Sequence, residues 1–309
     1  MNKDSLNTPV ILIIFKRVDA TQKIFNIIRE AKPKKLLVIA DGPRLDRDGE
    51  QEKCKQTREI IDKVDWDCKV YRCFSDVNLG CGIRISTGLS WAFQQVEEAI
   101  ILEDDCIPHP TFFTFCQEML ERYRDEPKVM SVSGCLFARS PKPESYYFSH
   151  YLSGWGWATW RRAWQKFDFE IKDLPELLEK DWLHRYLPDH RIADFWQRRF
   201  EAVYNSDKGD IWDYQFQFAS WVNNALSIRA NAGLIANIGV DAEATHAQIS
   251  NENYDALGFN ALEGIDFPLI HPEEVKRDIE MDEVMGKMML ANTNFASRVY
   301  RKFKSLINM

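Results

Sequence analysis

The chain has 309 residues, 45% hydrophobic and 28% charged, with a net charge of -7. That is an ordinary globular balance with enough apolar residues for a real core. The acidic charge argues against a general nucleic-acid binder, which needs a basic footprint, but leaves room for a nucleotide ligand whose charge a metal offsets. Aromatic residues reach 13%, including ten Trp, and the seven Cys form no CxxC pair. The cysteine pattern reads as small buried thiols in a reducing compartment, not as a disulfide framework or a zinc site.

From the N-terminus, the apolar run 10–15, VILIIF, reads as a buried parallel strand too short to span a membrane, and no signal-peptide layout precedes it. A cytoplasmic protein is expected. Residues 20–31 have helical spacing and 34–40 form a second strand ending in Asp41-Gly42-Pro43, a turn signal. The spacing predicts a charged helix over 48–63, a strand over 69–74, a helix over 83–98 and a fourth strand over 99–102. This alternation is one half of a doubly wound α/β sheet.

That fourth strand ends in three consecutive acids, Glu103, Asp104 and Asp105, followed by a turn through Pro108 and a helix over 111–124. Three adjacent carboxylates repel one another, and a divalent cation is a natural partner. A strand is expected at 129–133. The composition then shifts to Trp, Tyr and Gly, with extended or looped segments at 146–151 and 154–160. A helical region begins at 161–166; 174–179 and 184–187 are helical or linker. Helices are expected at 192–204 and 212–224, short strands at 226–228 and 234–238, and a charged helix at 273–292. The basic, partly apolar end 295–309 reads as a terminal docking helix in preference to an amphipathic surface touching a membrane. The domain reading is one catalytic unit over 1–272, with a nucleotide-binding half at about 8–135 and an acceptor-side half at about 136–272, followed by a helical extension over 273–309.

Residues 100–115, IILEDDCIPHPTFFTF, resemble the acidic metal motif of GT-A glycosyltransferases. The nearest likeness is to the inverting N-acetylglucosaminyltransferases of complex N-glycan and O-mannosyl glycan synthesis, and it extends more loosely over about residues 9–246. The resemblance implies a GT-A-like fold, a central mixed, mostly parallel sheet flanked by helices. It also implies transfer of a sugar from a nucleoside diphosphate sugar, UDP-linked, to a glycan, glycolipid or lipopolysaccharide-type hydroxyl, with Mn²⁺ or Mg²⁺ as cofactor. Without an N-terminal anchor, the chain looks like a bacterial cytoplasmic relative, at most peripheral to the inner membrane.

By the same resemblance Asp105 is the metal ligand, with Asp104 and Glu103 contacting the donor. Arg17, Asp41 and Arg84 match donor contacts. Independently, Arg17, Asp41 and Asp105 all fall at C-terminal strand ends, where open α/β sheets bind ligands. The segment GWGWATWRRAW at 154–164 reads either as a substrate-facing loop or as a buried aromatic plug; the resemblance favours the loop, with Trp157 at the donor sugar. In DIWDY, Asp213 matches the catalytic base, although Tyr214 stands where the family usually has a second acid. Asp210 is the rival, and a helix N-cap or first-turn acid is the structural alternative for Asp213. In DAEATH, His246 matches a late metal or diphosphate ligand, with a polar loop histidine as the alternative.

No GxGxxG follows the first strand, and no Walker or GxSxG motif occurs, which disfavours a dinucleotide oxidoreductase, a P-loop NTPase and an α/β-hydrolase. Two alternatives stay open. One is a sugar-nucleotide nucleotidyltransferase or hydrolase using the same acids, against which the glycine-free KRVDATQK at 16–23 counts. The other is a non-catalytic carbohydrate-binding or scaffold protein on the same fold.

Overall fold

In a computed structural model, residues 5–206, 211–239 and 262–291 are described. The first half alternates as expected: β1 (Val10–Ile14), α1 (Val18–Ala31), β2 (Lys35–Ala40), α2 (Glu50–Glu59), β3 (Lys69–Phe74), α3 (Cys81–Gln95) and β4 (Glu98–Glu103). Then follow β5 (Cys106–Pro108), α4 (Pro110–Arg122), β6 (Val129–Ser133), β7 (Tyr146–Ser149), β8 (Trp157–Trp160) and α5 (Arg161–Trp164). The helices α6 (Leu174–Glu179), α7 (Trp182–Tyr186), α8 (His190–Asn205) and α9 (Asp213–Val222) precede β9 (Leu226–Ala230) and β10 (Ile235–Asn237). A last helix, α10, covers 279–291.

Eight strands form one sheet in the order β3-β2-β1-β4-β8-β6-β9-β7, and β5 pairs with β10 separately. β1, β2, β3 and β4 are mutually parallel, as are β6 and β9, while β8 and β7 run against their neighbours. This is the GT-A-like, mixed and mostly parallel α/β layout that the sequence predicts. β1 reads as an unbroken apolar run because it is buried on both faces. One face carries a core of Ile24, Phe25, Phe112, Phe115 and Met119 from α1 and α4. The other packs Leu89 and Phe93 of α3, Trp164 of α5 and Phe216 of α9 over Ile11, Leu37 and Ile101. A third, aromatic cluster joins α8 and α9 through Trp196, Phe200, Phe218 and Trp221.

Among the differences from the sequence reading, three have a clear physical reason. α3 starts at Cys81, after Gly80 at φ 79°, and stops before Val96, whose extended backbone feeds β4. The turn expected after the acids is instead β5, paired antiparallel with β10 from Cys106–Asn237 to Pro108–Ile235. The charged helix expected from 273 begins only at 279. Ahead of it, Asp278 N donates to Phe148 O at 2.8 Å and Arg277 bridges the same residue, so these residues line the β7 side of the sheet instead. α10 packs into the body through Met281 and Met285. The docking helix expected at 295–309 lies outside the described residues. Among the described residues, no helix is long and apolar enough to cross a membrane.

Asp282 pins α10 in place. It accepts hydrogen bonds from Ser149 Oγ, Arg277 Nε and, at 3.3 Å, His150 N, and it is 2% exposed. Asp282→Ala leaves those donors, one of them charged, without their buried acceptor. It is expected to cost about 2–4 kcal/mol in chemical denaturation. A loss under about 0.5 kcal/mol, as at an ordinary surface site, would refute this account.

Candidate functional site

The C-terminal ends of β1 and β4 are neighbours because the two strands pair in parallel, Ile13 opposite Glu103. Arg17 caps α1 just beyond β1, its carbonyl accepting from Thr21 N at 2.9 Å. Its guanidinium Nη1 donates to Asp105 Oδ2 at 2.7 Å and to Asp104 Oδ1 at 3.2 Å. One nitrogen thus holds two of the three carboxylates. All three groups are largely buried, with side-chain exposures of 15% for Arg17, 10% for Asp104 and 16% for Asp105.

Burial first, and then the charge of Asp105, push the Asp104 carboxyl up to about 7, against the opposing pull of Arg17. Glu103 is held well above the usual carboxylate range by burial and by the charges of Asp105, Asp104 and Asp213. The last of these places Asp213, from the first turn of α9, within electrostatic reach of the β4 acids.

The packing beneath explains how a residue so distant in sequence arrives there. Ile101 and Glu103 share one face of β4, two residues apart. Trp157 of β8 lies in register with Ile101. Trp212, which precedes α9, stacks on Trp157 with centroids 5.4 Å apart and planes 22° apart. The start of α9 is thereby set over the acid-bearing end of the sheet. Asp213 itself is exposed, and its Oδ1 accepts from Tyr214 N at 3.1 Å.

Trp157 is therefore not an open ring at a sugar: it is 1% exposed and sits in the core between Trp212, Trp164 and Phe216. The glycines beside it serve the same packing. A Cβ on Gly156, at φ +57°, would lie 2.3 Å from Ile235, and one on Gly154 would lie 3.0 Å from the Trp212 ring. The plug alternative describes Trp157 in this structure.

Asp41 and Arg84 both form hydrogen bonds within the protein. Asp41 Oδ1 accepts from Gly42 N at 2.9 Å and Leu79 N at 3.0 Å; Oδ2 accepts from Asn78 Nδ2 at 3.0 Å and Gly80 N at 3.1 Å. Burial raises its carboxyl, while these N–H groups and the Arg84 charge act the other way. Its carboxylate knits the exit loops of β2 and β3. Arg84 Nη2 donates to the Cys73 carbonyl and, at 3.0 Å, to Cys73 Sγ, closing the end of β3.

Two features escaped sequence reasoning. The first is a basic rim organised by Glu50. Its carboxylate accepts from Lys16 Nζ at 2.9 Å and Arg44 Nη2 at 2.5 Å, bringing the exits of β1 and β2 together beside the Phe15 ring. The second is the wall made by β10. Ile238 N donates to Asp105 O at 2.8 Å, and a Cβ on Gly239 would lie 2.2 Å from Asp105 Oδ2. A glycine is required here by the close approach to the carboxylate. Neither carries a local motif; both depend on pairings between distant segments.

Asp210 and His246, with Asp241, Glu243 and Thr245, lie outside the described residues. Among the described residues, no group of three or more His, Cys, Asp or Glu side chains is arranged to hold a metal ion. The donor set nevertheless fits a hard cation of the Mg²⁺ type. Such an ion takes one or two carboxylates and completes its shell with water and substrate phosphates. Buried, mutually repelling oxygens at Asp104 and Asp105 are of that kind.

No protein-family model matches the chain, and no curated protein matches it. Solved structures match distantly. A mannosyltransferase, PcManGT, from Pyrobaculum calidifontis in complex with GDP-Man and Mn²⁺ shares 16% identity at TM-score 0.36, over 53% of this chain and 48% of its own, so the chain spans about half of that protein. TarS 1–349 of S. aureus shares 11% identity at TM-score 0.43, over 81% and 69%. A UDP-glucose pyrophosphorylase complexed with UDP-glucose shares 10% at TM-score 0.36, over 72% and 90%. Similarity at this level assigns no activity.

Two measurements probe the site's construction. Arg44 first, and then Lys16, hold Glu50 at about 2 against the opposing effect of burial, below its ordinary value of 4.5. A depressed carboxyl stabilises the fold above its unfolded pKa, and that stability disappears as pH falls through the folded one. Glu50→Gln is therefore expected to be less stable by about 1–3 kcal/mol at pH 7, with the gap closing between about pH 4.5 and 2. A gap unchanged across that range would contradict the charge-assisted bonding. Gly239→Ala should displace the Asp105 carboxylate while costing only about 1–2 kcal/mol in global stability; a crystal structure of the variant with Asp105 still on Arg17 would count against the wall.

Proposed function

We propose that the chain is an inverting glycosyltransferase. It moves a sugar from a nucleoside diphosphate sugar, UDP-linked, to a hydroxyl of a glycan, glycolipid or lipopolysaccharide-type acceptor, with Mn²⁺ or Mg²⁺. The observation that carries this reading is the convergence of Arg17 with Asp104 and Asp105 at the C-terminal sheet edge, within charge range of Asp213. Asp105, with Asp104 beside it, would hold the cation, and His246 is a further candidate ligand. The cation, when bound, offsets charge on the departing diphosphate.

The chain's own residues supply the rest. Arg17 offers a guanidinium suited to phosphate oxygens. Asp213, exposed in the first turn of α9, takes the acceptor hydroxyl proton as the new C–O bond forms and the bond from the anomeric carbon to the diphosphate breaks. Direct displacement by one base inverts the anomeric carbon. Glu103 and Asp104 are proposed to meet the donor directly. Asp41 and Arg84 are proposed to act at the donor by shaping the loops around it. The segment 16–23 after β1, without glycine, favours this reaction over nucleotidyl transfer.

Transfer and donor hydrolysis should be measured with Mn²⁺ across a panel of nucleoside diphosphate sugars and acceptors. Asp105→Asn is expected to abolish turnover and weaken donor binding. Asp213→Asn is expected to lower kcat by about 10²–10⁴-fold with donor affinity kept. Full activity in Asp213→Asn would remove it as the base. Donor binding without turnover across the panel would favour the non-catalytic reading.

A further inference from the structure

We infer that Arg17 is a built-in competitor for the cation, so that the metal enters this site together with the nucleoside diphosphate and not ahead of it. The inference rests on the proposed function. Its observation is that Arg17 Nη1 already occupies the oxygens a cation would use, 2.7 Å from Asp105 Oδ2 and 3.2 Å from Asp104 Oδ1. A guanidinium and a divalent ion on the same buried carboxylates repel strongly, since little water screens them. A cation arriving alone must therefore break an ion pair. One arriving with a diphosphate brings the anion that the displaced guanidinium needs, and arginine matches phosphate in fork geometry.

The geometry also says which partner moves. Asp105 is fixed twice: its carbonyl accepts from Ile238 N at 2.8 Å, and its carboxylate lies against the Gly239 backbone, where even a Cβ would come within 2.2 Å of Oδ2. Asp104 is 7% exposed. Arg17 has an anchored backbone at the start of α1, but its charge lies at the end of a long side chain whose rotamers can carry it from carboxylate to phosphate. It stands at the exit of β1, on the edge where such sheets receive ligands.

The test is a calorimetric titration with MnCl₂ alone and with MnCl₂ plus UDP, on the full chain and on Arg17→Gln, Arg17→Lys and Asp105→Asn. With MnCl₂ alone, Arg17→Gln is expected to bind Mn²⁺ about tenfold more tightly than the wild type, because its competitor is gone. Adding Asp105→Asn should cancel that gain. With UDP present the order reverses: the wild type gains more from the nucleotide than Arg17→Gln does. Arg17→Lys, which keeps the charge but lacks the fork, should fall between them, and it serves as the test if Arg17→Gln does not fold. Equal or weaker Mn²⁺ binding by the Arg17 variants, while Asp105-dependent binding persists, overturns the competition and leaves the proposed site standing. Absence of Asp105-dependent Mn²⁺ binding in every arm, with and without UDP, overturns the cation role itself and the competition with it.

Discussion

The structure turns on a surplus of negative charge at the end of one buried strand. β4 must be apolar to lie between β1 and β8, yet it delivers three acids where it leaves the core. Burial and mutual repulsion make such carboxylates costly to ionise together. The guanidinium of Arg17 relieves part of that cost, and β1 can present it there because parallel pairing brings both strands to the same edge. An edge built this way sets carboxylate oxygens and a guanidinium side by side, the chemistry that the proposed donor and cation would meet.

Around this centre the two halves of the chain divide the labour. The alternating half supplies a rigid parallel platform and two exit loops tied by Asp41, Arg58 and Arg84. Arg58 Nη2, for example, donates both to Asp41 O at 2.9 Å and to Ser75 O at 2.6 Å. The aromatic half works by wedging. Trp157, Trp164, Trp212 and Phe216 fill the space between sheet and helices, and that packing aims the first turn of α9 at the acids. The high tryptophan content thus belongs, at these positions, to the scaffold under the cleft.

How much of this could be read from the residues follows from how local each signal is. β1, β2 and β4 were legible because strands covered on both faces are continuous apolar runs, and the acids announced themselves by following one. β5 was not, because three residues, Cys106–Pro108, carry no period, and their partner lies at 235–237. The true start of α10 was hidden because helical spacing from 273 onward says nothing of the hydrogen bonds that Phe148 offers. The direction of Trp157 was undecidable before the β4–β8 register was known: rings that face a sugar and rings that fill a core have the same composition. Asp41 shows the opposite limit. Its place at a strand end was evident, but three of its four donors come from a loop nearly forty positions away.

The segment ahead of α10 has a meaning beyond its packing. A sheet this wide ends in two strands whose outer backbone could template another chain. At β3 the margin carries Lys69 and Arg72, charges that discourage a neighbour. At β7 the deterrent is the chain itself: Ser145 N donates to Ile270 O at 2.9 Å, and Asp278 N to Phe148 O at 2.8 Å, so the rim is already taken. A chain shortened before residue 270 would keep its parallel platform yet expose a bare β ribbon, and intermolecular strand exchange, ahead of unfolding, would govern its solution behaviour.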